Sequence, residues 1–187
     1  MSPIRMIAID LDDTLLHDDI SVSSYTKDTL RRVMEKGIPV VIATGRMFQA
    51  ARPWGKEIGL GDVPMICYTG ALVGMCRSGR ILEHVTMDLE LARDILETGR
   101  THGWYMHTYI DDEVYMPFRD ERTDIYEKQC GITAHIAGEK FWKPSPTKIT
   151  DISSPFVSMV TDSTVLTFDF FIFLFPQKAV KSCLPTR

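Results

Sequence analysis

An α/β fold built on a parallel sheet is what this sequence predicts, on three observations. Short aliphatic runs alternate with helical patterns, the runs are apolar on both faces, and each ends in polar or small residues. The runs are IRMIAIDL (residues 4–11), IPVVIATGR (38–46) and VPMICYTGA (63–71). In open α/β sheets the carboxyl ends of such strands form the ligand-binding edge, so all three endings are expected at one place.

After the first run comes the polar, turn-rich HDDISVSS. A helix follows, capped by Ser23 or Ser24, with Leu30, Val33 and Met34 on one face and Gly37 as its stop. The second strand ends in Thr44-Gly45-Arg46, and a helical stretch containing Pro53 and Trp54 leads to the third strand, which ends in Thr69-Gly70. From about Gly79 the pattern changes. MDLELARDILETGRTHG reads as an amphipathic helix with Leu91, Ile95 and Leu96 inward and Gly103 near its end. WYMHTYIDDEVYMP alternates like a hairpin turning at Asp111-Asp112, TDIYEKQCGI is helical, and PTKITDIS is a short strand. The expected organisation is an α/β core over residues 1–80, an α+β module over 81–175 and a return to the core over 176–187.

With 44% hydrophobic and 25% charged residues, the 187-residue chain can bury a core. Its net charge of -4 offers nothing to nucleic acid or an anionic membrane, and neither is expected as a partner. Cys67, Cys76, Cys130 and Cys183 lie scattered without metal-ligand spacing, which suits free thiols in a reducing cytoplasm. The N-terminus lacks the basic stretch and apolar core of a signal peptide. The most apolar segment, VLTFDFFIFLFP from Val165, is interrupted by Asp169 and too short to span a bilayer. The chain therefore reads as cytoplasmic.

The chemistry is concentrated at the strand ends. Asp10 and Asp12, two apart on a strand, project from the same side. Two converging carboxylates need a compensating cation or a retained proton. A hard cation such as Mg2+ takes oxygen ligands and keeps several waters, so one or two carboxylates suffice. A carboxylate beside it can attack phosphorus while its neighbour moves protons. Thr44-Gly45-Arg46 adds a hydroxyl, an approachable N–H and a cation for phosphoryl oxygens, although an Arg there can equally pair with a neighbouring acid. Asp13 belongs to the turn. An acid-rich strand end alone is also turn or cap chemistry, and so is a lone Thr-Gly. Their ordered combination points to phosphoryl chemistry. His17, His84, His102, His107 and His135 lack metal-type spacing, and Trp104 and Tyr105 read as hairpin packing.

DLDDTLL, IPVVIATGR and ICYTGALV resemble the haloacid dehalogenase superfamily of phosphatases, within it the Cof-like branch with a large α/β cap after the third strand. The resemblance implies a Rossmann-like core with an inserted α+β cap. It makes Asp10 the nucleophile and a Mg2+ ligand, and Asp12 the general acid/base, whose main-chain carbonyl also faces the metal. Thr44 and Gly45 match the phosphate-binding second motif, and Thr69 stands where the family usually has Asn. FFIFLFPQKAVKS has the outline of the family's return from the cap, which puts Lys181 at the lysine that steadies the phosphoryl group.

The family's fourth, acidic motif has no counterpart, so the core is expected to be incomplete and the C-terminus truncated or altered. The first strand would then be an apolar edge open to self-association, metal binding would be weak and turnover reduced. The implied function is Mg2+-dependent hydrolysis of small phosphorylated metabolites, such as sugar phosphates or phosphorylated cofactors, through an aspartyl-phosphate. The alternatives are a non-catalytic scaffold of the same fold and a receiver-type phospho-accepting domain.

Overall fold

In a computed structural model the chain is described over residues 4–143 and, as backbone alone, over Ser158–Val160. These residues fall into two compact units, the first ending at Glu83 and the second beginning at His84.

The first unit opens with β1 (Ile7–Ile9), then α1 (Ser24–Glu35), β2 (Val40–Ile42), α2 (Phe48–Glu57) and β3 (Pro64–Cys67). β1 and β2 are parallel, with Ile7 opposite Val40 and Ile9 opposite Ile42. A parallel bridge between Ala43 and Ile66 carries the pairing on to β3. The Ser23 hydroxyl caps α1 by accepting the Thr26 N–H at 3.1 Å, a contact worth about 1 kcal/mol. Gly37 leaves the helix at φ 75°, where a side chain would be strained. Val40, Val41 and Ile42 are all buried, as a covered parallel strand requires.

β1 differs from its expected burial. Ile4 is 69% exposed and Met6 46%, Ala8 is also exposed, and among the described residues the strand has a neighbour only on its β2 side. Its aliphatic composition fits a two-sided environment that these residues supply on one side only.

Two strands absent from the sequence reading follow β3. β4 (Leu72–Met75) runs antiparallel to β3, and β5 (Ile81–His84) lies beyond it in the order β3-β4-β5. The Ser78-Gly79 turn between short alternating runs is the signal that would have found this hairpin. Gly74 sits mid-strand because a Cβ there would lie 2.6 Å from the ring of Phe48, the buried first residue of α2. Valine is otherwise a good strand residue, so Gly74→Val isolates this close approach. It is expected to cost about 2 kcal/mol, read as a lower urea midpoint of the full chain. An unchanged midpoint would mean that the ring can yield.

In the second unit, α3 (Leu89–Thr101) leads to the hairpin β6 (Tyr105–Ile110) and β7 (Glu113–Met116), then α4 (Glu121–Cys130) and β8 (His135–Ile136). With β9 (Ser158–Val160) the sheet order is β8-β7-β6-β9, β7 and β8 parallel and the other pairs antiparallel. Asp111 and Asp112 turn the hairpin at φ 54° and 60°, the left-handed pair that a two-residue connection demands. α4 opens on a reciprocal cap. Asp120 accepts the Thr123 N–H at 3.2 Å, and the Thr123 hydroxyl accepts the Asp120 N–H at 3.3 Å.

The inward face of α3 is Ala92, Leu96 and Gly99, with Ile95 at its margin, packed with Met106 and Phe141. Leu91, expected inward, is 52% exposed, because the buried stripe follows 92, 96 and 99 at helical spacing and leaves 91 off it. Thr123, Tyr105 and Met116 meet on the other face of β6, where the Arg122 guanidinium lies 4.2 Å from the Tyr105 ring centroid. The strand expected over PTKITDIS, and Lys181 with the segment around it, lie outside the described residues.

Candidate active site

β1 ends at Ile9, and past Asp10 the chain turns tightly through Leu11–Leu15, so Asp10 and Asp12 lie beyond the strand. Leu11, Leu15 and Leu16 are buried and anchor this turn, while Asp10, Asp12, Asp13 and Thr14 between them stay at the surface. The Leu16 N–H closes the turn on the Leu11 carbonyl at 2.8 Å. Asp13 takes a left-handed conformation, φ 55°, tolerated by Asp better than by most residues. Apolar anchors on either side of Asp12, Asp13 and Thr14 thus hold the acids near the surface, with Asp10 only partly buried.

The loops after β2 and β3 are tied to each other by the main chain. The Thr44 N–H donates to the Ile66 carbonyl at 2.9 Å, Tyr68 N–H to Arg46 O at 2.9 Å, and Thr69 N–H to Thr44 O at 3.2 Å. Thr44 is buried and its hydroxyl oxygen accepts the Arg46 N–H at 3.2 Å, leaving its own proton to donate. Gly45 is exposed beside it, and a Cβ there would come 3.5 Å from the Thr69 hydroxyl.

Tyr68 and Thr69 are both left-handed, at φ 52° and 54°, before Gly70 at 103°. A β-branched residue pays more for that conformation than Asn does. Thr69 is exposed, so Thr69→Asn sacrifices no packing. It is expected to stabilise the chain by about 1 kcal/mol, seen as a raised thermal midpoint. A lowered midpoint would show that the threonine is held by contacts worth more than its strain.

Arg46 reaches across to Asp12. Its Nε donates to Oδ2 at 2.9 Å and its Nη2 to Oδ1 at 2.6 Å, a two-point fork on one carboxylate. Of the two roles open to this arginine in the sequence, the structure displays pairing with an acid. Asp10 has no such fork among the described residues. Partial burial, the largest cause, raises its carboxyl pKa, and the charges of Asp12 and Asp13 push the same way. Hydrogen bonds from the Leu11 N–H and the Thr14 hydroxyl oppose the rise. Asp13 therefore contributes charge to the site besides shaping the turn.

The first unit thus brings together Asp12, Thr44, Gly45, Arg46 and Thr69 through the contacts above, with Asp10 one residue from the turn. Lys181 lies outside the described residues. Among the described residues no three His, Cys, Asp or Glu side chains are grouped to hold a metal ion. Of the two acids the Asp10 carboxylate is the one suited to a hard cation, since the Asp12 carboxylate is engaged by Arg46. A cation also suits a carboxyl raised first by partial burial and further by the charges of Asp12 and Asp13. Among the described residues Cys67, Cys76 and Cys130 form no disulfide, and no helix is long and apolar enough to cross a membrane.

The model of the haloacid dehalogenase-like hydrolase family matches residues 7–169. This chain belongs to that family. Among curated proteins, phosphatase YwpJ of Bacillus subtilis is 32% identical over 113 residues, covering 60% of this haloacid dehalogenase-like chain and 39% of the relative. The 5-amino-6-(5-phospho-D-ribitylamino)uracil phosphatase YitU of the same organism is 28% identical over 120 residues, 62% of this chain and 43% of its own. Pyridoxal phosphate phosphatase YbhA of Escherichia coli is 32% identical over 108 residues, 58% and 39%. The chain spans about two fifths of the length of these relatives.

The haloacid dehalogenase-like fold is equally plain in solved structures. A hydrolase of this type from Bacteroides thetaiotaomicron superposes with a TM-score of 0.67 at 22% identity, over 86% of this chain and 59% of that one. One from B. subtilis gives 0.65 at 25%, over 76% and 57%.

Proposed function

We propose that the chain is a phosphatase of small phosphorylated metabolites, working through an aspartyl-phosphate on Asp10 with Mg2+ as cofactor. The observation that carries this reading is the gathering of the strand-end loops. The main chain joins the Thr44–Arg46 and Tyr68–Thr69 loops and Arg46 forks onto Asp12, two residues after an Asp10 carboxyl raised by partial burial, which supports this reading. Relatives named for pyridoxal phosphate and for a phosphoribityl-aminouracil support phosphorylated cofactors and sugar-type phosphates as the substrate class.

Asp10 forms a bond from a carboxylate oxygen to phosphorus as the ester P–O bond breaks, and Asp12 delivers a proton to the departing oxygen. Asp12 then takes a proton from the water that attacks the phosphoryl group, releasing inorganic phosphate and restoring Asp10. The Thr44 hydroxyl and Gly45 N–H donate to the non-bridging oxygens, where charge is concentrated. Asp10 and the Asp12 carbonyl would hold Mg2+, which supplies charge neutralisation when bound.

A second reading, a non-catalytic scaffold of the same fold, is favoured by the absence of a third metal-binding acid among the described residues. Hydrolysis of 4-nitrophenyl phosphate with Mg2+, set against an Asp10→Asn preparation, separates the two. Equal rates would reject the phosphatase and leave the scaffold.

A further inference from the structure

Among the described residues Arg46 is the charged side chain tied to the predicted proton carrier, and the manner of the tie says what it does. We propose that Arg46 is a positioning residue for Asp12, acting through that carboxylate and not on the substrate's phosphoryl group. The proposal rests on the phosphatase reading of the site.

Three features support it. The contact is a planar fork, Nε to Oδ2 at 2.9 Å and Nη2 to Oδ1 at 2.6 Å, so both carboxylate oxygens are located at once. A single point charge would leave the carboxylate free to rotate, whereas a fork sets its plane. The two partners also differ in how firmly they are held. The Arg46 side chain is only 10% exposed, and its N–H and carbonyl are engaged by the Thr44 hydroxyl and the Tyr68 N–H. Asp12 is 50% exposed, on a turn that becomes left-handed at the next residue. Arg46 is thus the fixed member and Asp12 the adjustable one. Its ordering cost is already met by burial, so holding Asp12 in one orientation adds little further entropy loss.

Third, the fork joins two motifs 34 positions apart, and it reaches Asp12 rather than Asp10. Within the proposed chemistry Asp12 matters in proportion to how badly the leaving oxygen needs a proton. A residue that acts through Asp12 inherits that dependence. A residue that binds the phosphoryl group affects every ester alike.

The test compares an ester whose leaving group needs little protonation, 4-nitrophenyl phosphate, with an alkyl phosphate monoester, which needs it fully. Arg46→Gln is expected to lower kcat on the alkyl ester by roughly 10- to 100-fold, within the range of lost acid-base catalysis, and on the nitrophenyl ester by less than about threefold. Arg46→Lys should resemble Arg46→Gln, because it keeps the charge and loses the fork. Adding Arg46→Gln to Asp12→Asn should cost nothing further on the alkyl ester, as expected for two groups acting as one unit. Equal losses on both esters, rescue by lysine, or a further loss in the double variant would each overturn the proposal while leaving the phosphatase reading intact. If Asp10→Asn hydrolyses both esters as fast as the unaltered chain, that reading fails and takes this one with it. A readout independent of turnover comes from the Arg46 Nε–H resonance of metal-free protein. It should shift in Asp12→Ala, and an unmoved resonance would show that the pair does not form in solution.

Discussion

Asp10→Asn is expected to lower phosphate-ester turnover by on the order of 10^4-fold or more, the scale of removing a covalent nucleophile, while raising the thermal midpoint at pH 7 without divalent metal. The two effects have one origin. Partial burial, with the nearby charges of Asp12 and Asp13, lifts the Asp10 carboxyl above its ordinary value of 3.8. The folded chain therefore holds that proton more tightly than the unfolded one. Ionising Asp10 costs stability in full at every pH above the folded-state value, and the cost shrinks as pH falls below it, to vanish under the unfolded value of 3.8. The neutral amide removes the cost at pH 7. Mg2+ should stabilise the unaltered chain, by about 1.4 kcal/mol at ten times its dissociation constant, and should do little for the asparagine variant. Turnover assays and thermal scans with and without Mg2+ check both halves. A lower midpoint in the metal-free variant would mean that the carboxylate is held by partners that outweigh its desolvation.

Acid should weaken the second unit through His107. This residue is 3% exposed in the middle of β6, its Nε2 3.0 Å from the Tyr109 hydroxyl, which lies 2.5 Å from that of Tyr126. Its Nδ1 is buried without a hydrogen-bond partner among the described residues, and burial pushes its pKa from 6.5 down to about 4. Unfolded chain takes up a proton near 6.5, and the folded chain resists until about 4. The stability this residue confers is complete above pH 6.5 and is lost progressively toward pH 4, by about 3 kcal/mol in total. His84, also lowered by burial, adds in the same direction. His107→Phe should shrink the difference between urea midpoints at pH 7.5 and pH 5. An undiminished difference would place the acid sensitivity elsewhere.

Much of this molecule could be read locally. Period and punctuation sufficed for α1, with its Ser23 cap and Gly37 stop, for the Asp111-Asp112 hairpin, and for the three runs that became β1, β2 and β3. Those features depend on neighbours within a few residues, which a linear chain displays directly. The hairpin of β4 and β5 was equally local, and was missed because its runs are short. Leu91 was misplaced because the stripe of a helix is defined by what it packs against, and Met106 and Phe141 select 92, 96 and 99.

By itself, then, the sequence determined the parallel α/β start of the chain and the acids, Thr-Gly pairs and spacing that place it among haloacid dehalogenase-like hydrolases. Tertiary structure alone decided who meets whom. It joined Arg46 to Asp12, clipped Thr69 to Thr44 in a left-handed turn, and raised Asp10 through burial and two neighbouring charges. The physical reason is range. Hydrogen-bonded forks and desolvation depend on distances between side chains that folding brings together, and no local period encodes those distances.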